Sequence, residues 1–258
     1  MRLCSALLFV SLSCFAQPSV KLMGVSVIDD TIPFGDLKHT PLWIDKGGVR
    51  LVLGVSGGDA ALIDLDARKS KITGTDDQGI DLFEPKGGVK RRFGRGPFEM
   101  NNPVTADGKL LVVPVSAVRS VAKGRTGTFK GTLQVVVASG TKTHTAEAAV
   151  AKGTSVFEGL DFKVSAAKME KDWDDTEVFK VEVSMKGAAA KNFASLRFLD
   201  AAGKEIKAAQ RDSMSGMGQR SMGYVLDARV SSCTFELKLW DGRKSVPVPF
   251  EISIPSPL

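Results

Sequence analysis

Hydrophobic and polar residues alternate with a period of two along most of the chain, as expected for strands that bury one face of a sheet. The alternation is clearest over residues 128–138 (TFKGTLQVVVA), 177–185 (EVFKVEVSM) and 233–240 (CTFELKLW). Helical periodicity is not sustained, and only residues 188–194 are expected to form a turn or two of helix. The pattern therefore predicts an all-β protein built of antiparallel sheets.

Short glycine-containing polar segments separate these strands and predict hairpin turns. They lie at residues 76–79 (DDQG), 106–108 (ADG), 139–140 (SG), 200–204 (DAAGK) and 241–242 (DG). The final strand, SVPVPFEISI, places its valines, phenylalanine and isoleucines on one parity and Pro247 and Pro249 on the other. Because proline has no amide hydrogen to donate, this strand is predicted to lie at a sheet edge with its prolines outward.

Two pairs of stretches indicate that the chain repeats itself. Residues 61–72 (ALIDLDARKSKI) and 195–206 (SLRFLDAAGKEI) share five identities, and a strand, a glycine turn and a second strand follow in each half, over 132–150 and 234–252. We therefore expect two related domains, 17–153 and 154–258, with a boundary near AKGTSVFEG at 151–159. The first is longer because of an insertion near residues 80–107.

The second half contains about seven short strands over roughly 100 residues, and its LRFLDAAGKEI segment is similar to an Asp-x-x-Gly-Lys hairpin. In this it resembles the immunoglobulin-like and fibronectin-type β-sandwich modules of secreted bacterial proteins. The resemblance implies two antiparallel β-sandwich domains and no catalysis, and it carries no residue-specific role.

The N-terminus has the composition of a secretory signal peptide. Arg2 precedes an apolar run from Leu3 to Leu12, which is shorter than the roughly 20 residues of a membrane-spanning helix. Cleavage after Ala16 is expected, giving a periplasmic or extracellular protein without a transmembrane segment. The alternative is a lipoprotein anchored through Cys14, although the preceding residues match a lipobox poorly.

Removal of residues 1–16 takes away Arg2 and no acid, so the net charge falls from +6 to +5. This mild excess favours anionic polymers of the cell envelope over specific binding of nucleic acid. Cys4 and Cys14 also lie in the signal, which leaves Cys233 without a disulfide partner. Its place in an alternating strand predicts a buried small hydrophobic residue.

The segment GGVKRRFGRGPF, residues 87–98, concentrates four basic side chains inside the predicted insertion: Lys90, Arg91, Arg92 and Arg95. Glycines and solvated charges are typical of an exposed loop. No helix is predicted after it to cradle a phosphate. The segment is expected to be a solvated loop, with docking of an anionic partner as the functional alternative.

Catalytic and metal-binding patterns are weak. GVSGG, residues 54–58, matches the G-x-S-x-G motif of serine hydrolases, but no βαβ pattern surrounds Ser56 and only His144 follows it. The acidic segment 170–177 lacks calcium-loop spacing, and a flexible loop explains the methionines of DSMSGMGQRSM without a copper site. We expect no catalytic residue, metal or cofactor.

The expected function is a monomeric binding or structural module of the cell envelope. Its partner is expected to be an anionic envelope polymer or another envelope protein. A carbohydrate-binding module is the first alternative, although the chain has only three tryptophans and one tyrosine to stack on sugars. A hydrolase using Ser56 is the second.

Overall fold

A computed structural model describes residues 17–28, 48–84, 97–98, 102–105, 107–172 and 175–256. Strands make up 65% of these described residues and helix 3%, and the sheets are antiparallel, which confirms the predicted all-β class. The single helix of the described part, α1 (Gly187–Asn192), overlaps the segment predicted to form a helical turn, residues 188–194. Among the described residues, no helix is long and apolar enough to cross a bilayer.

The chain divides into two compact units. Unit 1 comprises Met1–Ala138 and Lys244–Leu258, and unit 2 is the contiguous segment Ser139–Arg243. Unit 2 is thus inserted, along the sequence, between two parts of unit 1. This division differs from the predicted boundary at residue 153.

In its described residues unit 1 contains seven strands: β1 (Ser19–Ile28), β2 (Gly48–Ser56), β3 (Ala61–Leu65), β4 (Lys71–Asp76), β5 (Leu110–Ala117), β6 (Thr126–Ala138) and β15 (Lys244–Pro255). One sheet has the order β1-β2-β5, and the other has the order β15-β6-β3, with β4 also paired to β6. The inward residues of both sheets form one core, mostly of valine and leucine, which includes Leu53, Val113, Phe129, Leu133 and Val248. The unit is sandwich-like.

Strands β3 and β4 pair with successive parts of β6, Leu65 opposite Val135 and Lys71 opposite Thr132. They therefore form one interrupted strand. Residues 61–72, which share five identities with 195–206, thus differ from them in pairing, because β10 and β11 form a hairpin.

The other eight strands of the described part belong to unit 2: β7 (Gly140–Ala149), β8 (Phe162–Lys171), β9 (Glu177–Lys186), β10 (Phe193–Leu199), β11 (Glu205–Ile206), β12 (Ala208–Gly216), β13 (Gln219–Leu226) and β14 (Ser232–Asp241). They form sheets with the orders β11-β10-β14-β7 and β12-β13-β9-β8. Between them lies an aromatic core, in which Phe198 makes edge-to-face contacts with Tyr224 at 5.3 Å and Phe235 at 5.4 Å. Such contacts add to the free energy gained by burial alone.

The hairpin predicted at residues 200–204 forms, whereas those predicted at residues 139–140 and 241–242 do not. At residues 200–204, the Asp200 carboxylate accepts hydrogen bonds from the amides of Ala202 and Lys204, and β10 pairs with β11 as predicted. At residues 139–140 and 241–242 the predicted hairpins do not close. Instead β7 pairs with β14, and β15 pairs with β6. These pairings are why the units differ from the predicted domains.

The prediction for the final strand is confirmed. β15 pairs with β6 on one side only and lies at the end of its sheet. Val248, Phe250 and Ile254 are buried, whereas Pro247 and Pro249 are exposed.

Candidate binding surface of the second unit

The outward face of the β12-β13-β9-β8 sheet carries a network of charges centred on Lys180. Its ammonium group lies 3.1 Å from Asp212, 3.3 Å from Glu170 and 3.5 Å from Glu182. The hydrogen bond with Asp212 is the main reason that the pKa of Lys180 is raised. Similarly, the hydrogen bond from Lys168 is the main reason that the pKa of Glu170 is lowered.

Gly223 makes the central ion pair possible. A β-carbon at this position would lie 2.8 Å from a carboxylate oxygen of Asp212 and 3.2 Å from Cε of Lys180. Without a side chain, Gly223 lets Asp212 on β12 reach across β13 to Lys180 on β9. The network thus ties strands together and satisfies its own charges, so it offers little to an ionic ligand.

A pocket of about 520 Å³ opens where β8, β9, β12 and β13 come together at one end of this sheet. Phe179 and Leu226, both buried, and Met169, which is 41% exposed, supply apolar lining. The polar residues that line it are Glu177, Lys207, Asp227 and Arg229. Within the described residues neither Lys207 nor Arg229 takes part in an ion pair. An apolar pocket with charges of both signs suits a peptide better than a simple ion.

Strand β12 runs directly from this pocket and is the edge of its sheet. All nine of its residues are exposed, and it contains no proline. A β-bulge lies between Gln210 and Asp212, and the intervening Arg211 forms an ion pair with Asp172 at 3.2 Å. The opposite edge strand, β8, is partly covered, because Val164 donates a hydrogen bond to the carbonyl of Thr154. Unpaired backbone groups along β12 are available to another extended chain.

The predicted basic site, Lys90, Arg91, Arg92 and Arg95, lies outside the described residues. Its role as a solvated loop or as an anionic docking patch therefore stays a prediction. Asp76, on β4, precedes this segment in the sequence and is the only buried charged residue in the described part of the chain. Its carboxylate accepts hydrogen bonds from the amides of Gln78 and Ile80 and pairs with Arg125 at 3.2 Å.

Ser56 is the last residue of β2 in an antiparallel sheet. Gly57 and Gly58 follow with φ of 86° and 88°, a backbone conformation suited to glycine, and β3 begins at Ala61. A nucleophile elbow would instead lead from a strand into a helix. His144 belongs to unit 2, where its ring lies 6.3 Å from that of Phe157.

The remaining candidates do not converge on a metal site. Within the described residues, no cluster of His, Cys, Asp and Glu is arranged to hold a metal. Met214 and Met217 are exposed, whereas Met222 is buried and accepts a hydrogen bond from Tyr224. Cys233 is 3% exposed, and burial raises the pKa of its thiol to about 11. The prediction that Cys233 is a buried small hydrophobic residue is confirmed.

The pocket was missed by sequence reasoning. Its residues come from four strands, from Lys207 before β12 and from the segment after β13, and their proximity depends on strand order rather than on spacing. The one available signal was the long proline-free stretch AAQRDSMSG, in contrast to the two prolines of β15.

Comparison of the sequence with known protein families and with curated proteins found no match.

Proposed function

We propose that this chain is an exported, non-catalytic binding module of the cell envelope, built from two immunoglobulin-like sandwiches. In immunoglobulin domains, strands A, B and E share one sheet and strands C, F and G share the other. The orders β1-β2-β5 and β3/β4-β6-β15 follow the same plan in unit 1. In unit 2, β8-β9-β13-β12 follows A-B-E-D, and β11-β10-β14-β7 follows C′-C-F-G. This correspondence supports the immunoglobulin-like assignment.

Export is supported by the first sixteen residues, in which a positive charge, an apolar run and a small residue at Ala16 succeed one another. The mature protein then begins at Gln17 in the periplasm or outside the cell. Intact-mass measurement on protein from the producing cell tests this start site. A diacylated Cys14 would instead place the protein on a membrane as a lipoprotein.

The partner we propose is an extended segment of another envelope protein. The observation that carries this proposal is the pocket beside the open edge of β12. An added strand gains main-chain hydrogen bonds from such an edge, and a pocket selects one of its side chains. Lys207, Asp227 and the other charged lining residues favour a segment with charges of both signs around an apolar residue.

The binding proposal has a matched pair of variants. Met169, beside the pocket, is 41% exposed, and Val25, on β1 of unit 1, is 40% exposed. Met169→Glu should reduce the amount of a specific envelope protein retained by immobilised mature chain at least tenfold, whereas Val25→Glu should leave it unchanged. Equal retention by both variants, in protein of unchanged thermal stability, would rule out this binding surface.

The four cations at 90, 91, 92 and 95 support a second candidate, the binding of an anionic envelope polymer. Changing all four to serine should then weaken binding, and binding by the wild type should fall as ionic strength rises. Binding that is insensitive to salt and to these changes would reject this candidate. It would leave the peptide-binding proposal unaffected.

A further inference from the structure

The last strand of the first sequence repeat, β7, lies in unit 2, and the last strand of the second repeat, β15, lies in unit 1. The first repeat ends with β6 and β7, which Ser139 connects, and the second ends with β14 and β15, which Gly242 and Arg243 connect. Nevertheless β7 pairs with β14, from Gly140 opposite Asp241 to Ala149 opposite Ser232. Likewise β15 pairs with β6, from Lys244 opposite Val137 to Pro255 opposite Thr126.

Each repeat could also have paired its own last two strands. Ser-Gly and Asp-Gly are suitable two-residue hairpin turns. A turn at Ser139-Gly140 would place Ala138 opposite Thr141 and, further along, Leu133 opposite Ala146 and Lys130 opposite Ala149. The inward side chains of β7, at positions 144, 146 and 148, would still face inward. Alternation therefore permits both arrangements.

Side-chain size distinguishes the two arrangements in unit 1. The inward row of β15 is large: Val246, Val248, Phe250, Ile252 and Ile254. Phe250 and Ile254 lie opposite Gly131 and Gly127 of β6. These glycines have no side chains of their own, and the space beside them is filled by the backbone of Lys71 and by Val121. The inward row of β7, by contrast, is His144, Ala146 and Ala148. In place of β15 it would leave the unit 1 core underfilled, which is destabilising.

In unit 2, the core accommodates the small inward side chains of β7 and not the large ones of β15. Phe235 and Cys233 of β14 lie opposite Ala146 and Ala148, and both alanines pack against the aromatic core. If β14 paired with β15 through a turn at residues 241–242, Val248 and Phe250 would take the places of these alanines. Larger side chains inserted into a filled core force strain.

We propose that the edges of β6 and β14 that β15 and β7 occupy are strand-binding surfaces for which β7 and β15 of the same chain compete. The sizes of their inward side chains decide that β15 pairs with β6 and that β7 pairs with β14. The chain is thus a tandem of two repeats that have exchanged their final strands, and the partner that completes each unit is the other repeat. This proposal does not depend on the binding function proposed above.

Disulfide trapping in the full chain tests the exchange. The background carries Cys4→Ser, Cys14→Ser and Cys233→Ala, so only introduced thiols react. Lys130 lies opposite Glu251 in the exchanged arrangement and would lie opposite Ala149 in a closed hairpin, and all three residues are exposed. Under mild oxidation, Lys130→Cys with Glu251→Cys should form a disulfide within one chain at least tenfold faster than Lys130→Cys with Ala149→Cys. The reverse preference, or disulfides between two chains, would overturn the proposal.

The role of side-chain size is tested by moving the large residues from β15 to β7. In the variant Ala146→Val, Ala148→Phe, Val248→Ala, Phe250→Ala, the preferred disulfide should change from the 130–251 pair to the 130–149 pair. A folded variant that keeps the 130–251 preference would overturn the assignment by size. If this variant does not fold, Val248→Ala with Phe250→Ala alone should lower the 130–251 to 130–149 rate ratio at least tenfold, and an unchanged ratio would overturn the assignment equally.

Discussion

The two units follow a related strand order but fill their cores differently. Unit 1 is packed mainly with valine and leucine, and Phe250 and Ile254 of β15 complete its core opposite glycines of β6. Unit 2 is packed with aromatic rings, and alanines on β7 leave space for Phe235. The comparison shows that two strands with the same alternation are not equivalent. The sizes of their inward side chains decide which core each of them completes.

The largest loss of stability is expected when a large inward side chain of β15 is removed from the core of unit 1. Phe250→Ala should lower the free energy of unfolding by about 3–4 kcal/mol, because a buried ring is replaced by a cavity. Denaturant titration followed by circular dichroism measures this loss. Glu251→Ala, the outward neighbour on the same strand, is the control and should change stability by less than about 0.5 kcal/mol. Equal losses would show that the size of the inward residue is not what matters.

The aromatic core of unit 2 has its own reporter, because Tyr224 is the only tyrosine in the chain. Burial raises the pKa of Tyr224 to about 12. An unfolded tyrosine titrates near pH 10, so its contribution is fully present below pH 10 and is lost as the pH rises towards 12. The loss is at most about 2–3 kcal/mol. Absorbance at the tyrosinate band should show one late transition, and ionisation near pH 10 in the folded protein would contradict burial in this core.

Unit 1 contains a buried carboxylate, Asp76, that pairs with Arg125. Among the described residues, the core of unit 2 has no equivalent pair. Burial would raise the pKa of Asp76, but hydrogen bonds from the amides of Ile80 and Gln78 and the pairing with Arg125 outweigh it, so the pKa is lowered. The stabilisation is therefore present above about pH 4 and is lost as the pH falls through the lower folded value.

Asp76→Asn should accordingly cost about 2 kcal/mol at pH 7, because Arg125 loses its buried partner. Asp77→Asn is a suitable control. Asp77 is half exposed and lies 4.0 Å from Arg125, so its loss should cost less than about 1 kcal/mol. Urea titrations at pH 7 and pH 3 measure both variants. A cost of Asp76→Asn that is as large at pH 3 as at pH 7 would contradict a role for the carboxylate charge.

The smallest effect on stability is expected at the proline edge of β15. Pro247→Thr with Pro249→Thr should preserve the fold, because both side chains are exposed and Pro247 and Pro249 lie opposite Gln134 and Thr132 in a pairing with β6 alone. The new amides would make this edge more competent to pair with another chain. Light scattering should detect more dimer or aggregate than for the wild type. Unchanged solubility and mass would count against edge protection by proline.

Local signals predicted much of this fold. Alternation gave the strands, Asp200 and Gly203 gave a hairpin, and Pro247 and Pro249 marked an edge, since each depends on a few neighbouring residues. The pairing of β7 and β15 was not predictable in this way. The turns at residues 139–140 and 241–242 favour closed hairpins locally, and only the fit of Ala146 or Phe250 to a core assembled from distant strands decides otherwise. The pocket beside Met169 depends on strand order for the same reason.

The exchange of final strands is the central claim, and methyl NOEs of the folded protein test it most directly. Leu133 lies opposite Val248 in the exchanged arrangement and would lie opposite Ala146 in a closed hairpin. With labelled methyl groups of leucine, valine and alanine, we expect a strong NOE between Leu133 and Val248 and none between Leu133 and Ala146. A strong NOE between Leu133 and Ala146, without one to Val248, would contradict the account.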